Sequence, residues 1–315
     1  MIKSIKKCFN QMTSFFKKSS IWTKIIVFTI IALIFTKIAN ANTPRIEAFS
    51  QNRKFVVKKN NEIYDKFYCS LYDHLVYDEK KNDFEVIQID KIAKINNNSK
   101  VLDLGCGPGH YVNFYNKTKN IQVEGIDKSK AMIKAAKKQY PECKFKNGDF
   151  LDGMTYSGDS FSHALCLYFT IYYVKDKRQF FENVFKWLEP GGFLILHLVN
   201  RDQFDPILPP SDPLVMVSAQ KYAKKRITKS QVKFDDFMYK ANFSLIKNKN
   251  IGKFEETFTD DATNHVRKNE HTFYMEPQKQ ILANAKKAGF LLEGHVDMVK
   301  CRYEYQYLYF LKKPN

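Results

Sequence analysis

Lys100-Val101-Leu102-Asp103-Leu104-Gly105-Cys106-Gly107-Pro108-Gly109-His110-Tyr111 is an apolar run that ends in a glycine cluster and leads into a segment able to start a helix. It reads as strand, tight turn and helix start. Glycine suits such a turn because the backbone needs positive φ and because a ligand can approach more closely than a Cβ allows. Amides left free at the helix start favour a carboxylate or phosphate. The spacing is G-x-G-x-G with Asp103 ahead of it and His at position 110, so it departs from the G-x-G-x-x-G of dinucleotide-binding turns.

The segments downstream continue the pattern. Residues 121–127 read as a second strand ending in Asp127, and Ser129 is a helix N-cap before Met132 and Ile133. An acid at a strand's carboxyl end beside such a loop can take both hydroxyls of a ribose. Residues 144–150 carry Gly148-Asp149-Phe150 after a third strand, and residues 161–168 form a fourth. Trp187 ends a helix, the turn Leu188-Glu189-Pro190-Gly191-Gly192 follows, and a fifth strand runs to Leu196. Residues 278–288 read as a helix stopped by Gly289-Phe290, with closing strands at 291–299 and 305–311. Alternating strands and helices predict an α/β domain on a largely parallel sheet.

These ordered segments resemble the class I methyltransferases that depend on S-adenosylmethionine (SAM), from about residue 62 to the end with one interruption. The resemblance implies a Rossmann-like seven-stranded sheet and SAM as cofactor. It places Gly105, Gly107 and Gly109 on the methionine and ribose side, with Asp103 near the methionine amino group. Asp127 would take the ribose hydroxyls, Met132 would pack on the adenine, and Asp149 and Phe150 would face the adenine edge. Taken singly, Asp103 could be a turn acid, Asp127 a helix cap, Asp149 an Asx-turn residue and Met132 simple core. Residues 64–73, with Tyr64-Asp65 and Tyr72-Asp73, resemble the aromatic helix that closes over the cofactor in many small-molecule enzymes of this class. Tyr64, Phe67 and Leu71 equally make an ordinary apolar helix face.

Residues 201–275 are a long connection where a short one would suffice, which signals a subdomain. Phe237, Tyr239, Ala241, Phe243 and Leu245 alternate with Met238, Lys240, Asn242 and Ser244, a strand period. Phe254 and Phe258 suggest a second strand, and His271, Phe273 and Met275 a third. The expectation is a small antiparallel β cap inserted after the fifth strand. Methyl transfer needs alignment and exclusion of water more than a general base. Tyr168, Tyr172, Tyr173, His197, His265 and His271 are the candidates for any base, and each is equally at home as a packed, hydrogen-bonded side chain.

At the other end, residues 21–39, IWTKIIVFTIIALIFTKIA, carry charge only at Lys24 and Lys37, where a long side chain reaches the headgroups. They read as one transmembrane helix. Residues 1–20 hold Lys3, Lys6, Lys7, Lys17 and Lys18 between phenylalanines, a basic amphipathic segment for an anionic surface, and residues 40–61 read as a linker. Five basic residues stand on each side of the span, so the positive-inside rule does not orient it. A signal peptide cut near Ala41 is the competing reading, because Ala39-Asn40-Ala41 is a small-x-small site. The net charge of +18 over 315 residues belongs mostly here, since residues 1–60 hold twelve Lys and Arg against the single acid Glu47.

Six cysteines show neither a C-x-x-C pair nor a paired rhythm, so neither a metal site nor a disulfide framework is expected. No N/D-P-P-Y or Pro-Cys motif occurs, which sets aside amino methylation of DNA and cytosine C5 methylation. The resulting expectation is a membrane-anchored SAM-dependent methyltransferase, its domain of residues 62–315 facing the cytosol, acting on the O or N of a small-molecule or lipid acceptor. An RNA methyltransferase, a non-catalytic SAM-binding membrane scaffold and a nicotinamide oxidoreductase are the rivals, nucleic acid being disfavoured by the scarcity of Arg relative to Lys.

Overall fold

The computed structural model describes residues 19–41, 53–206, 220 and 223–315, with side chains of the first stretch as far as Ile31. The chain divides into two compact units, Met1–Glu47 and Ala48–Asn315. In the first unit helix α1 runs Ile21–Ala41, and Ser20 caps it by accepting from the Thr23 amide at 3.3 Å. Ile21, Trp22, Ile26 and Phe28 on it are exposed. Among the described residues no helix is long and apolar enough to cross a membrane. The stretch 21–31, described with its side chains, spans roughly 16 Å, about half a bilayer core. The expected basic segment of residues 1–20 lies outside the described residues except for its last two positions.

The second unit opens with β1 (Phe55–Lys59), α2 (Lys66–Leu75) and α3 (Glu79–Ala93). There follow β2 (Lys100–Leu104), α4 (His110–Asn113), β3 (Gln122–Asp127), α5 (Lys130–Gln139), β4 (Lys144–Asn147), β5 (Phe161–Cys166), α6 (Lys177–Trp187) and β6 (Leu188–Val199). After the insertion strands β7 (Lys229–Lys233), β8 (Phe237–Ile246), β9 (Ile251–Asp260) and β10 (Val266–Tyr274) come α7 (Gln278–Lys287), β11 (Leu291–Asp297) and β12 (Gln306–Lys312).

Seven strands form the main sheet in the order β11-β12-β6-β5-β2-β3-β4. The strands from β2 to β6 pair in parallel, and β12 runs antiparallel to β6. The chain moves outward from β2 to β4 and then returns to the other side of β2 as β5. Such a reversal opens a crevice at the carboxyl ends of the strands, where open α/β sheets bind ligands. Both faces of the sheet are covered, so β2 is buried from Val101 to Leu104 and reads as one apolar run. Leu102, Ala164 and Leu196 face a core with Phe180, Trp187 and Ile281, whereas Val101, Leu165 and Ile195 face one with Ile89, Val112 and Ile133. Several helix starts are held by an acid or hydroxyl, as where Asp78, Ser129 and Asp176 accept from the amides of Lys81, Met132 and Gln179.

The insertion strands join β1 in a second sheet, β1-β10-β9-β8-β7, antiparallel except where β1 pairs in parallel with β10. It has five strands where periodicity showed three. The two extra strands, FVVKK and KSQVK, lie at the edges and expose alternate residues, so lysine protects an open edge there and no apolar signal is left. Residues 55–59, expected in a linker, are therefore structural, and of the expected insertion 201–275 residues 207–219 and 221–222 lie outside the described residues.

The cap is fastened over the carboxyl edge of the main sheet. Arg201, just past β6, donates to Asn250 Oδ1 at 2.5 Å and to the Met275 carbonyl at 2.6 Å. Lys177, at the start of α6 and 2% exposed, donates to the carbonyls of Val174 and Tyr274 at 2.9 and 2.7 Å and pairs with Glu276 at 2.6 Å. Phe243, Phe273 and Met275 of the cap join the same core as α6 and α7. Removing one member of a buried pair strands the other, at a cost of about 3–5 kcal/mol, whereas removing both is far milder. Lys177→Met is expected to lose roughly that much in urea unfolding, and Lys177→Met with Glu276→Leu to recover at least half of it.

Candidate active site

The turn after β2 folds as its glycines require. Gly105 and Gly107 have φ of +72° and +52°, and a Cβ on Gly105 would fall 2.6 Å from the Thr170 side chain. Asp127, at the end of β3, ties this loop to the next helix. It accepts from the Gly107 amide at 3.0 Å and the Ser129 amide at 2.8 Å, one on each carboxylate oxygen. Each oxygen keeps a lone pair for a hydroxyl donor. Burial pushes the Asp127 carboxyl above its ordinary value, and the two amides pull it back. Gly109 caps α4 with φ of +88°, next to Phe145 of β4.

Asp103 sits at the end of β2, 3% exposed, with Oδ2 lacking any hydrogen-bond partner. Burial, then the charges of Asp127 and Glu85, push it up to about 7. Met132 is buried in the first turn of α5. Asp149 pairs with Lys128 at 2.8 Å and accepts from the Leu151 amide at 3.0 Å. Burial would raise it, but these partners outweigh burial and hold it below the usual carboxylate range. Phe150 turns inward, edge-on to Phe180 with centroids 5.6 Å apart.

Helix α2 lies over the glycine loop. The Tyr72 ring stands 3.8 Å from the position of a Cβ on Gly107, and Asp73 reaches His110 Nε2 at 2.7 Å. Asp65 caps α2 by accepting from the Tyr68 amide at 3.1 Å, while both its oxygens accept from Arg267 Nη1 at 3.0 and 2.8 Å. The Tyr64 carbonyl accepts from Ser129 Oγ at 2.6 Å. One residue, Ser129, thus holds Asp127 by its amide and the segment leading into α2 by its hydroxyl.

Of the candidate bases, Tyr173 and His271 are joined by a hydrogen bond, and Tyr168 and His197 meet edge to face with centroids 6.3 Å apart. Tyr64 donates to Tyr173 Oη at 2.7 Å, Tyr173 lies 2.6 Å from His271 Nδ1, and His271 Nε2 lies 2.8 Å from Glu256 Oε2. Glu256 is 1% exposed and also accepts from Asn269 at 3.2 Å, Tyr68 at 3.1 Å and Tyr239 at 2.9 Å. Burial works to raise Glu256, but hydrogen bonds from His271, Asn269 and Tyr239 hold it below its ordinary value. A carboxylate there makes His271 Nε2 the donor, so Nδ1 is the acceptor for Tyr173.

Tyr172 is structural, its hydroxyl accepting from the Val199 amide at 2.7 Å. His265 lies at the turn between β9 and β10, its carbonyl accepting from the Asp260 amide at 3.0 Å. His197 is fully buried in a separate cluster, 3.0 Å from Gln306 Oε1 and 3.5 Å from Glu85. Burial brings it down to about 4, so it is neutral at physiological pH. Tyr168 stands between the clusters in a left-handed conformation, φ +52°, under the Lys81 ammonium at 5.3 Å. Burial, then the charges of Glu85, Asp78 and Glu256, push its hydroxyl up to about 12. A bulky residue held at positive φ is strain of the kind that collects at functional sites.

Glu256, Asn269 and Arg267 were not singled out from the sequence. The signal was present in β10, where Arg267, Asn269 and His271 share one face at a spacing of two and are all buried. Three polar residues on the inward face of a strand demand partners. Among the described residues no group of three or more His, Cys, Asp or Glu side chains is arranged to hold a metal ion.

Residues 101–192 match the family described as methyltransferase domain. This segment is a methyltransferase domain, and its cofactor is SAM. Over 104 residues the chain is 28% identical to trans-aconitate 2-methyltransferase of Delftia acidovorans, covering 33% of this chain and 39% of that protein. The chain therefore spans less than half the length of that curated relative. In fold it is similar to the CcbJ methyltransferase of Streptomyces caelestis, with a TM-score of 0.63 at 13% identity over 81% of this chain and 100% of that one. It is also similar to SAM-bound CalS10 of Micromonospora echinaspora, an amino pentose methyltransferase, with a TM-score of 0.51 at 18% identity over 73% of this chain and 91% of that one.

The donor set suits SAM, because an unpartnered buried carboxylate oxygen on Asp103 is what a cofactor ammonium requires. The same oxygen weakens the protein without cofactor. Asp103 is raised on folding, so folding takes up a proton between the unfolded value near 4 and about 7, and stability from this group falls as pH rises through that window. Asp103→Asn is expected to raise the melting temperature by several degrees at about pH 8, an effect on the order of a few kcal/mol that disappears at about pH 4. SAM affinity should fall in the same variant, measured by calorimetry.

Proposed function

We propose that the whole chain is a SAM-dependent methyltransferase for a small-molecule acceptor. The observation that carries this reading is the loop of Gly105, Gly107 and Gly109 bound to Asp127 through the Gly107 amide, under a lid and a cap. In this reading Asp103 faces the cofactor ammonium and Asp127 takes the ribose hydroxyls through the lone pairs its amides leave free. Met132, Asp149 and Phe150 frame the adenine. Bound SAM supplies a methyl group on a sulfonium, already a good leaving group. The chain's part is to orient an acceptor in line and keep water out, which the cap of β7 to β10 and the helix α2 are built to do. A small acceptor suits a carboxyl edge covered by both, and the names of relatives that act on trans-aconitate and on an amino pentose are in keeping with it.

A membrane address is a separate part of the proposal. It is supported by the apolar sequence of residues 21–39, by exposed Ile21, Trp22, Ile26 and Phe28 on α1, and by the twelve basic residues in the first sixty. The catalytic unit is placed on the cytosolic side because SAM is made there. Protease treatment of intact spheroplasts or vesicles of known sidedness should cleave the domain only from the cytosolic face, and protection from that face would reverse the orientation.

The central test is calorimetric titration of the full chain with SAM and S-adenosylhomocysteine, alongside Asp127→Ala. Each hydrogen bond to a charged group is worth about 1.5–3 kcal/mol. Micromolar binding that weakens at least tenfold in the variant is expected. A folded chain that binds neither would sink the reading, and binding without methyl transfer to any cell extract would favour a SAM-binding scaffold.

A further inference from the structure

The acceptor side of the site has a direction and a charge, and together they specify a chemical class. Hydrogen bonds run one way, from Tyr64 to Tyr173, from Tyr173 to His271 Nδ1 and from His271 Nε2 to Glu256. The chain begins at the Tyr64 hydroxyl, which donates to Tyr173 and so turns its lone pairs to whatever lies in front of it. Tyr64 and Tyr173 are only partly buried, whereas His271 and Glu256 are 3% and 1% exposed. An acceptor therefore meets tyrosine hydroxyls, and the imidazole acts behind them. Tyr64 stands just ahead of the Asp65 cap of α2, and Ser129 beside Asp127 fixes its backbone, so the head of the chain is registered to the cofactor side.

The acids whose charges act on Tyr64 are Glu256 from β9, which is buried, and Asp127 from β3, which is largely buried. Among the described residues three buried cations occur, and each is engaged by an acid: Lys81 with Glu85, Lys177 with Glu276 and Arg267 with Asp65. A carboxylate acceptor would meet the charges of Asp127 and Glu256, and each of those three buried cations is already engaged by an acid. An ammonium group would be attracted, and it would have to lose a proton before its nitrogen could attack.

We propose that the acceptor is an amine, and that Tyr64 and Tyr173 pass its proton to His271, which Glu256 holds in the required tautomer. This rests on the methyltransferase reading. The acceptor ammonium gives a proton to Tyr64 Oη as Tyr64 gives its own to Tyr173, and Tyr173 gives its own to His271 Nδ1. The nitrogen lone pair freed in this way forms the new N–C bond, the C–S bond breaks, and its electron pair stays on sulfur. The products are a methylammonium, neutral S-adenosylhomocysteine and an imidazolium that returns its proton to solvent. Tyr64 is the group that touches the acceptor, and Tyr173, His271 and Glu256 act through it.

The test uses the full chain and two cofactor analogues. Sinefungin carries a protonated amine where SAM carries its methyl group, and S-adenosylhomocysteine carries nothing there. Sinefungin is expected to bind at least tenfold more tightly. That preference should fall at least fivefold in Tyr64→Phe and in His271→Gln while affinity for S-adenosylhomocysteine stays within twofold, which also shows that the variants fold. Labelled SAM is then offered with an amino sugar, its parent sugar and the matching uronic acid, and with a straight-chain amine, alcohol and carboxylic acid. Label on amines is expected, with kcat lost about a hundredfold in His271→Gln near neutral pH and regained as pH approaches the amine's own pKa. Label on an alcohol or acid and on no amine overturns the proposal. Should nothing be labelled, equal or weaker binding of sinefungin relative to S-adenosylhomocysteine overturns it, and a tenfold preference that the variants abolish supports it. A folded chain that binds neither analogue instead refutes the methyltransferase reading on which the proposal stands.

Discussion

The carboxylate of Glu256 is the interaction on which the arrangement around the site depends. A charge withdrawn from water costs several kcal/mol unless every lone pair is answered. Here four donors answer, and they come from three elements: Tyr68 of α2, Tyr239 of β8, and Asn269 and His271 of β10. Helix α2 and the cap sheet are therefore held in one geometry by a requirement neither can evade. Arg267 repeats the arrangement with opposite sign, since its buried guanidinium is satisfied by Asp65, by the Ile63 carbonyl and by Asn269. Polar satisfaction aligns two elements that are far apart in sequence.

The cofactor side is organised the other way, by leaving something unsatisfied. Asp103 keeps a bare oxygen in the interior, and Asp127 spends one lone pair per oxygen on backbone amides while keeping others for a ligand. His197 and Asp103 then act on stability in opposite senses over one pH range. His197 is brought down to about 4, so the unfolded chain takes up a proton that the folded one refuses, and stability is lost as pH falls below about 6.5. Asp103 is raised to about 7, so its contribution is lost as pH rises towards that value. The neutral imidazole of His197 is held by Gln306, whose Oε1 lies 3.0 Å from Nε2.

Much of the main domain was legible from residues alone. The succession of strands β2 to β6 follows from apolar runs each ended by a loop residue of distinctive chemistry, and the cap at Ser129 reads directly from residue type. The cap was half legible. β8 and β9 alternate visibly, whereas β1 and β7 are lysine-bearing edges whose pairing depends on strands far away in sequence. The membrane expectation rests on composition, and among the described residues no helix meets the length and apolarity a span needs.

The sequence by itself determined the fold class, the glycine loop and the acids at the ends of β2 and β3, because backbone conformation and close approach restrict residue type at those positions whatever surrounds them. The tertiary structure decided which of six candidate histidines and tyrosines share a site. Tyr173 and His271 meet across 98 positions of sequence, and Tyr64 joins them from 109 positions away. Tyr172, next to Tyr173, turns instead to the backbone of β6. No local pattern distinguishes those two neighbours, since each is a tyrosine on an apolar turn. Only the position of β10, set by its register against β9, gives one of them a histidine to meet.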